Sequence, residues 1–260
     1  MGVLDSFSLA GKTAVVTGGA GPLFGSSISE ALAEAGATVI TASRSRDRNE
    51  EYARNMCDRG FEVVGLTLDI ADSESISSFR DQIVRDFGQI HILVNNAVTG
   101  RGGDFNDQTP EYWSQSAQGN MVGLFAMCKA FLPSLSSHPT SSILNISSIY
   151  GVVGNDPSLY EGTDMKQPPD YNFVKAGMIN FTRYLANYYG SDGVRANCIC
   201  PGGYFNDQPE PFVRNYEKRV PLGRMLNSED IKGAAVFLAS DASEYVTGTT
   251  MMVDGGFTTI

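Results

Sequence analysis

Histidine, cysteine and tryptophan are scarce in this chain, with two, four and one copies in 260 residues. None of Cys57, Cys128, Cys198 and Cys200 shows CxxC spacing, and His91 and His138 are isolated in the sequence, so neither a metal-ligand set nor a general-base histidine is supported by its neighbours. Cys198 and Cys200 sit two apart in an apolar run and share one face of a strand. They read as buried reduced thiols rather than as a metal or redox pair. Charged residues are thin at 18%, and basic tracts are missing: Lys+Arg 19 against Asp+Glu 29 leaves a formal net charge of −10. That balance argues against nonspecific binding to nucleic acid or to an anionic membrane. The longest charge-free run, Ala130 to Asn155, contains Pro133, His138, Pro139 and many Ser and Asn, and so cannot cross a bilayer. The start, MGVLDSFSLAGK, lacks a cationic stretch followed by an apolar one, so no signal peptide is expected and a soluble cytoplasmic protein is. No Pro/Ser/Gly linker and no repeat with a period of roughly 20–50 residues divides the chain. One domain over residues 1–260 is expected.

What is present is alternation. Apolar, β-branched runs at Lys12–Thr17, Thr38–Ala42, Phe61–Leu68, His91–Asn95, Ser142–Ser147, Val194–Cys200 and Thr250–Val253 read as strands. Between them, Phe24–Ala35, Arg48–Arg59, Ser73–Phe87, Pro110–Leu135, Asp170–Tyr189 and Ser228–Ala239 read as helices, with Ser73 as an N-cap and with Ser228 and Asp230 in the first turn of the last one. Short, continuously apolar strands separated by helices predict an α/β fold with a parallel sheet covered on both faces and right-handed crossovers. Gly151–Pro169 and Gly202–Arg219 lack regularity and both follow strands, where open α/β sheets bind ligands.

The turn after the first strand is Thr17-Gly18-Gly19-Ala20-Gly21-Pro22-Leu23-Phe24-Gly25. Glycines there permit a tight turn and a close approach of backbone to a pyrophosphate, which the following helix N-terminus attracts. After the second strand comes Ser43-Arg44, with no acidic residue at the position that would hold a ribose 2′-hydroxyl. A hydroxyl and a guanidinium suit a 2′-phosphate, so NADP(H) is favoured and NAD(H) is the alternative. In Tyr171-Asn172-Phe173-Val174-Lys175 a phenol and an ammonium stand four apart, one face of a helix. A cation beside a phenol favours the phenolate, making Tyr171 a candidate acid/base. Asn145-Ile146-Ser147-Ser148 ends the fifth strand, where a hydroxyl can polarise a carbonyl; Ser148 is preferred and Ser147 is the alternative.

These elements, with Asn95-Asn96-Ala97-Val98, Gln118-Gly119-Asn120-Met121, Val194–Gly203, Pro221–Arg224 and Val253–Gly256, resemble in type and order the single-domain branch of the short-chain dehydrogenase/reductase family over nearly the whole chain. The resemblance implies a single doubly wound Rossmann domain with a seven-stranded parallel sheet. It implies a catalytic set of Asn120, Ser148, Tyr171 and Lys175. Ser148 bonds the substrate oxygen, Tyr171 exchanges a proton with it, Lys175 lowers the tyrosine pKa and holds the nicotinamide ribose, and Asn120 holds a relay water. It further implies cofactor contacts from Gly18, Gly21, Leu23, Phe24, Gly25, Ser43, Arg44, Asp69, Ile70, Asn96, Ala97, Pro201, Gly202, Tyr204 and Asn206, besides Tyr171 and Lys175. Asp69 would meet the adenine amino group or, on sequence alone, cap the next helix. A homotetramer is implied, with the helices near 110–135 and 170–189 at one interface.

The chain departs from the family in three places. Pro22 and the Gly21–Gly25 spacing imply a reshaped or longer turn, and Val98 replaces a glycine. Ser148 and Tyr171 lie about ten residues further apart than is usual, because of an extra segment near 158–169. Tyr160 within it has Asp164 four residues on, not Lys, and so is not the catalytic tyrosine. Tyr160, Glu161, Thr163 and Asp164 are candidates to contact sugar-like hydroxyls, because the segment looks like that of members acting on sugars and sugar acids. The alternative is a packing loop or a subunit contact, and Asn206-Asp207-Gln208 is a candidate lid. The expectation is therefore an oxidoreductase moving a hydride between NADP(H) and a polar, sugar-derived carbonyl or alcohol. The alternatives are an NAD-dependent sugar or sugar-acid dehydrogenase and a silent dinucleotide-bound sensor. Enoyl reduction ranks low, since it expects a longer Tyr–Lys gap.

Overall fold

The computed structural model describes residues 2–100 and 102–260. Seven parallel strands form one sheet: β1 Thr13–Thr17, β2 Thr38–Ser43, β3 Val63–Thr67, β4 Ile92–Asn95, β5 Ser141–Ile146, β6 Val194–Pro201 and β7 Thr250–Val253, in the order β3-β2-β1-β4-β5-β6-β7. The order reverses at β1 and β4, which pair through Ala14–Ile92, Val15–Leu93 and Val16–Val94. That reversal opens a crevice at their C-terminal ends.

Strand alternation divides the apolar runs between two cores. Val15, Ile40, Leu93 and Ile143 face one side, where they meet Phe79 of α3 (Ser73–Phe87), Phe131 of α5 (Leu124–Leu135) and Leu185 of α6 (Pro169–Tyr189). Ala14, Val16, Val39 and Leu144 face the other, against Ile28 and Leu32 of α1 (Phe24–Glu34), Met56 of α2 (Arg46–Asp58) and Leu238 of α8 (Lys232–Ala239). Strands buried on both faces need no polar side, which is why the runs are continuous. A third, smaller cluster of Ile149, Leu159, Phe212, Tyr216 and Phe257 sits above the strand ends.

Several local expectations change. The helix over 110–135 is α4 (Pro110–Ala117), a π turn at Gln118–Gly123, then α5. Asp72, not Ser73, caps α3, its carboxylate accepting the Glu74 N–H at 2.9 Å. The last helix begins at Lys232 rather than Ser228, because Asp230 is drawn back onto Arg224 (2.6 and 2.7 Å). The segment 202–219 is not wholly irregular: Glu210–Arg219 is a helix, α7, that buries Phe212 and Tyr216. His91 and His138 are in contact in space: their rings meet at 4.1 Å, tilted by 32°, and Thr13 N–H donates to His91 Nδ1 at 3.0 Å.

Candidate active site

The glycine turn is built for a ligand that approaches backbone. Gly18 has φ +65°, and a Cβ on Gly25 would lie 2.0 Å from the Gly18 carbonyl oxygen. α1 begins with no side-chain cap bond and no acidic residue in its first turn; the Ser26 N–H turns back to the Gly21 carbonyl at 3.0 Å, and the positive end of the helix dipole is not offset by a local carboxylate. Asn96 fixes the turn from β4, donating to the Thr17 and Gly18 carbonyls at 3.0 and 3.3 Å, while Thr17 Oγ1 receives the N–H groups of Asn96 and Ala97 at 3.0 Å each. Phe24 meets Tyr204 edge-to-face at 5.3 Å, so two expected cofactor residues close one end of the crevice together. A loop that only glycine fits, ending at an uncapped helix, fits a dinucleotide pyrophosphate.

At the adenosine end, Asn49 donates to the Ser43 and Leu66 carbonyls, which orients its amide, and Ser43 Oγ donates to Asn49 Oδ1 at 2.9 Å. Ser43 thus spends its proton inside the protein. Arg44 is exposed, with no ion pair among the described residues, and is the member of the pair left for an anion. Asp69 is not the cap of α3; one of its oxygens accepts the Ala71 N–H at 2.9 Å, leaving the other for a donor. The carbonyl of Ile70 packs against Gly123 of the π turn, where a Cβ would come within 2.2 Å.

The reacting end collects three elements. Ser147 Oγ donates to the Lys175 carbonyl at 2.8 Å and is thereby committed. Ser148 Oγ accepts the Tyr150 N–H at 3.2 Å, which leaves its proton for a substrate oxygen. Ser148 is therefore the serine able to polarise a carbonyl. On α6, Lys175 Nζ lies 5.4 Å from the centroid of the Tyr171 ring and donates to the Ile146 carbonyl at 2.6 Å. Burial pushes Lys175 down to about 8, while the neighbouring Cys198 and Cys200 thiols act in the opposite sense. The two cysteines are fully buried on the β6 face under α6, beside Ile179 and Met252.

Asn120 sits in the π turn, a form of helix that recurs at functional sites. Its Nδ2 donates to the Thr99 carbonyl at 2.6 Å and to Ser116 Oγ at 3.1 Å, and its Oδ1 accepts the Thr99 N–H at 2.9 Å. Both Nδ2 protons are thus used within the protein, while Oδ1, with one bond accepted, keeps a second lone pair.

Pro201 and Gly202 end β6, where Gly202 N–H bonds the Val253 carbonyl at 2.9 Å. Asn206 is exposed, its N–H bonded to Gln208 Oε1 at 2.8 Å. Beside it Asp207 carries a left-handed φ of 52°. The inserted segment arches between two anchors. Lys166 pairs with Asp104 and Asp107 at 3.1 and 2.9 Å, and Asn215 of α7 donates to the Ser158 and Glu161 carbonyls at 3.2 and 3.3 Å. Tyr160 bonds Tyr150 through their hydroxyls (3.1 Å) and packs its ring 5.3 Å from Phe212, whereas Glu161 is exposed. Sequence reading missed Tyr150, Ser116, Thr99 and Asp170, which carry no spacing signal and acquire partners only on folding.

Residues 24–258 match a family model described as enoyl-(acyl carrier protein) reductase. The chain is 34% identical over 252 residues to the 3-oxoacyl-[acyl-carrier-protein] reductase FabG of Haemophilus influenzae, covering 95% of this chain and 98% of that one. The chain belongs to the short-chain dehydrogenase/reductase family. It is 30% identical over 260 residues to the NADP-dependent mannitol dehydrogenase of Alternaria alternata, covering 97% and 94%. Among solved structures, a gluconate 5-dehydrogenase from Burkholderia cenocepacia in complex with NADP and tartrate superposes over 100% of both chains with a TM-score of 0.88 at 28% identity. A short chain dehydrogenase from Leptospira borgpetersenii with bound NAD+ does so over 97% and 95%, at 0.84 and 32%. As a member of the short-chain dehydrogenase/reductase family, this protein is an NAD(P)-dependent oxidoreductase of CH–OH and carbonyl groups.

Proposed function

We propose that the chain, working as one domain, is an NADP(H)-dependent carbonyl reductase and secondary-alcohol dehydrogenase for a polar, sugar-derived substrate. The observation that carries this reading is the Lys175 ammonium against the Tyr171 ring, joined through the Lys175 carbonyl to the serine pair that leaves Ser148 with a free proton. The dinucleotide, held by the Gly18–Gly25 turn, Asn96 and Ala97, Asp69 and the Pro201–Tyr204 end of β6, supplies or accepts the hydride. Ser148 donates a hydrogen bond to the reacting oxygen, concentrating positive character on its carbon. Tyr171 gives its phenolic proton to that oxygen in reduction and removes it in oxidation. Lys175 lowers the cost of the phenolate through its charge and holds the ribose hydroxyls beside it. The main-chain carbonyl of Asn120 holds the water that returns the proton to solvent.

NADP(H) is preferred because Arg44 stands without an ion pair among the described residues where an acidic residue would repel a 2′-phosphate; NAD(H) is the alternative. The polar substrate rests on the inserted segment over the reacting end, where Tyr160 and Glu161 are offered, and on the mannitol and gluconate dehydrogenases among the similar proteins. A homotetramer is favoured by exposed Phe125 of α5 and Phe173, Tyr184 and Tyr188 of α6, an apolar surface on the helices expected at an interface. A cytoplasmic location fits this chemistry.

The test is turnover of sugars, sugar acids, polyols and simple ketones with each cofactor. NADP(H)-dependent conversion of a hydroxylated substrate is expected. Tight cofactor binding with no turnover across the panel would leave the sensor reading instead.

A further inference from the structure

We infer that Asp170 is a positioning residue that sets the rotation and seat of the catalytic helix α6. The reading rests on the roles given above to Tyr171 and Asn120. α6 opens Pro168-Pro169-Asp170-Tyr171, with no side-chain N-cap bond. Pro169 presets the backbone at the first helical position, Tyr171 N–H bonds the Pro168 carbonyl at 3.2 Å, and Asn172 Nδ2 donates to Asn155 Oδ1 at 3.0 Å, a tie within the segment that leads into the helix. Asp170 adds the tie to α4 and the loop before it. Its Oδ1 accepts Gln108 Nε2–H at 2.6 Å and its Oδ2 accepts Ser116 Oγ–H at 2.5 Å, with the residue only 5% exposed.

The direction of this chain is forced. Both ends of the Asn120 amide are held by the main chain of Thr99, so its orientation is fixed and its second Nδ2 proton goes to Ser116 Oγ. Ser116 is thereby an acceptor from Asn120, and its single proton points to Asp170. A continuous hydrogen-bonded line thus runs from Thr99, in the loop after β4, through the π turn, to the residue before the catalytic tyrosine.

No described cation pairs with Asp170. Burying a carboxylate without one is costly unless its hydrogen bonds and position compensate. Here both oxygens are bonded, and the second position of a helix is where the helix dipole favours an anion. Deleting the carboxylate should therefore let the first turn of α6 drift, moving Tyr171 relative to Ser148 while leaving the dinucleotide turn on α1 in place.

The test compares Asp170→Ala, Asp170→Asn, Ser116→Ala and the double alanine variant, read in two independent ways. Hydrogen exchange of the peptide spanning residues 168–178 reports the tether whether or not a substrate is known. Faster exchange is expected in Asp170→Ala and an intermediate rate in Asp170→Asn, whose carbonyl still accepts from Ser116 while Gln108, held by its second bond to the Gly102 carbonyl at 2.9 Å, loses one acceptor. With any substrate that wild type turns over, kcat should fall roughly 10- to 100-fold in Asp170→Ala, a loss typical of misplacement by about an ångström. NADPH binding, followed by fluorescence, should stay within about threefold, and Asp170→Asn should recover part of kcat. The double variant should be no worse than Asp170→Ala alone, because the two residues belong to one line. If Asp170→Ala does not fold, Ser116→Ala carries the test with a smaller loss of the same pattern. Unchanged exchange and kcat in folded Asp170→Ala and Ser116→Ala, additive losses, or an Asp170→Asn as impaired as the alanine would overturn the inference. A wild type without turnover but with the expected exchange pattern would instead overturn the proposed reaction and leave the tether standing.

Discussion

The two halves of the crevice are made of different material. The half proposed for the nucleotide, at the ends of β1 and β2, is backbone: glycines that admit no Cβ, carbonyls held by Asn96, and the start of α1 with no side-chain cap. The half proposed for the substrate, under the inserted segment and α7, is side chain: Tyr150 against Tyr160, Phe212 and Tyr216 beneath them, Lys166 reaching to Asp104 and Asp107. Backbone recognition tolerates little variation, since any side chain at Gly25 collides with a peptide oxygen, and it suits a ligand that never changes. Side-chain recognition can be rewritten residue by residue, and suits the ligand that differs between relatives.

The largest expected effect lies where the halves meet. Tyr171→Phe should lower kcat by about 100- to 10,000-fold, the usual contribution of a positioned acid/base, while NADPH fluorescence titration shows binding near wild type. A variant at half the wild-type rate would remove Tyr171 from the chemistry. Next is the backbone half. Gly25→Ala drives a methyl group to 2.0 Å from the Gly18 oxygen, and overpacking of this kind costs about 1–3 kcal/mol. A lowered Tm and NADPH affinity reduced by about tenfold or more should appear together. Retained affinity would mean that the turn can shift.

Arg44→Ala should weaken NADPH by about tenfold and leave NADH nearly unchanged, since one charge-assisted phosphate contact is worth about 1.5–3 kcal/mol. Equal losses for both cofactors would make Arg44 an adenine contact and return NAD(H) to first place. In the side-chain half, Lys166→Ala removes an exposed pair of bridges of the sort worth about 0–1 kcal/mol, so Tm should barely move. A rise in substrate KM of about two- to threefold, with cofactor KM constant, would identify the segment as a substrate roof; no change would make it a packing loop.

The smallest effect is a control far from both halves. Burial first, then His138 and Lys12, hold the His91 pKa below its usual value. The folded state therefore binds this proton less readily than the unfolded chain does. Its contribution is neutral above the unfolded value of about 6.5 and becomes destabilising as pH falls below it. Thermal melts from pH 7.5 to 5.5 should show Tm falling more steeply in wild type than in His91→Gln. The substrate KM ratio of the Lys166 variant should not follow that slope.

The nucleotide half was legible because its signal is local. Glycines at a strand–helix junction are visible as letters, and so are Tyr171 and Lys175 one helical turn apart. Ser43 and Asn120 were legible as positions but not as chemistry. Their hydrogen bonds go to Asn49, and to Thr99 and Ser116. The choice between Ser147 and Ser148 was open in the sequence, and the bond from Ser147 to the Lys175 carbonyl is what favours Ser148 in the proposed reaction. The partnership of Tyr150 with Tyr160, and the contact of His91 with His138, had no signature at all.

The order of strands and helices, the doubly covered sheet, the glycine turn and the Tyr–Lys pair were determined by the sequence itself, since each follows from periodicity or from neighbours along the chain. Which hydroxyl is free, where the helix before Tyr171 is held, and what the inserted segment leans on were decided by tertiary structure alone. A donor with one proton can serve only one acceptor, and folding chooses which acceptor comes within reach.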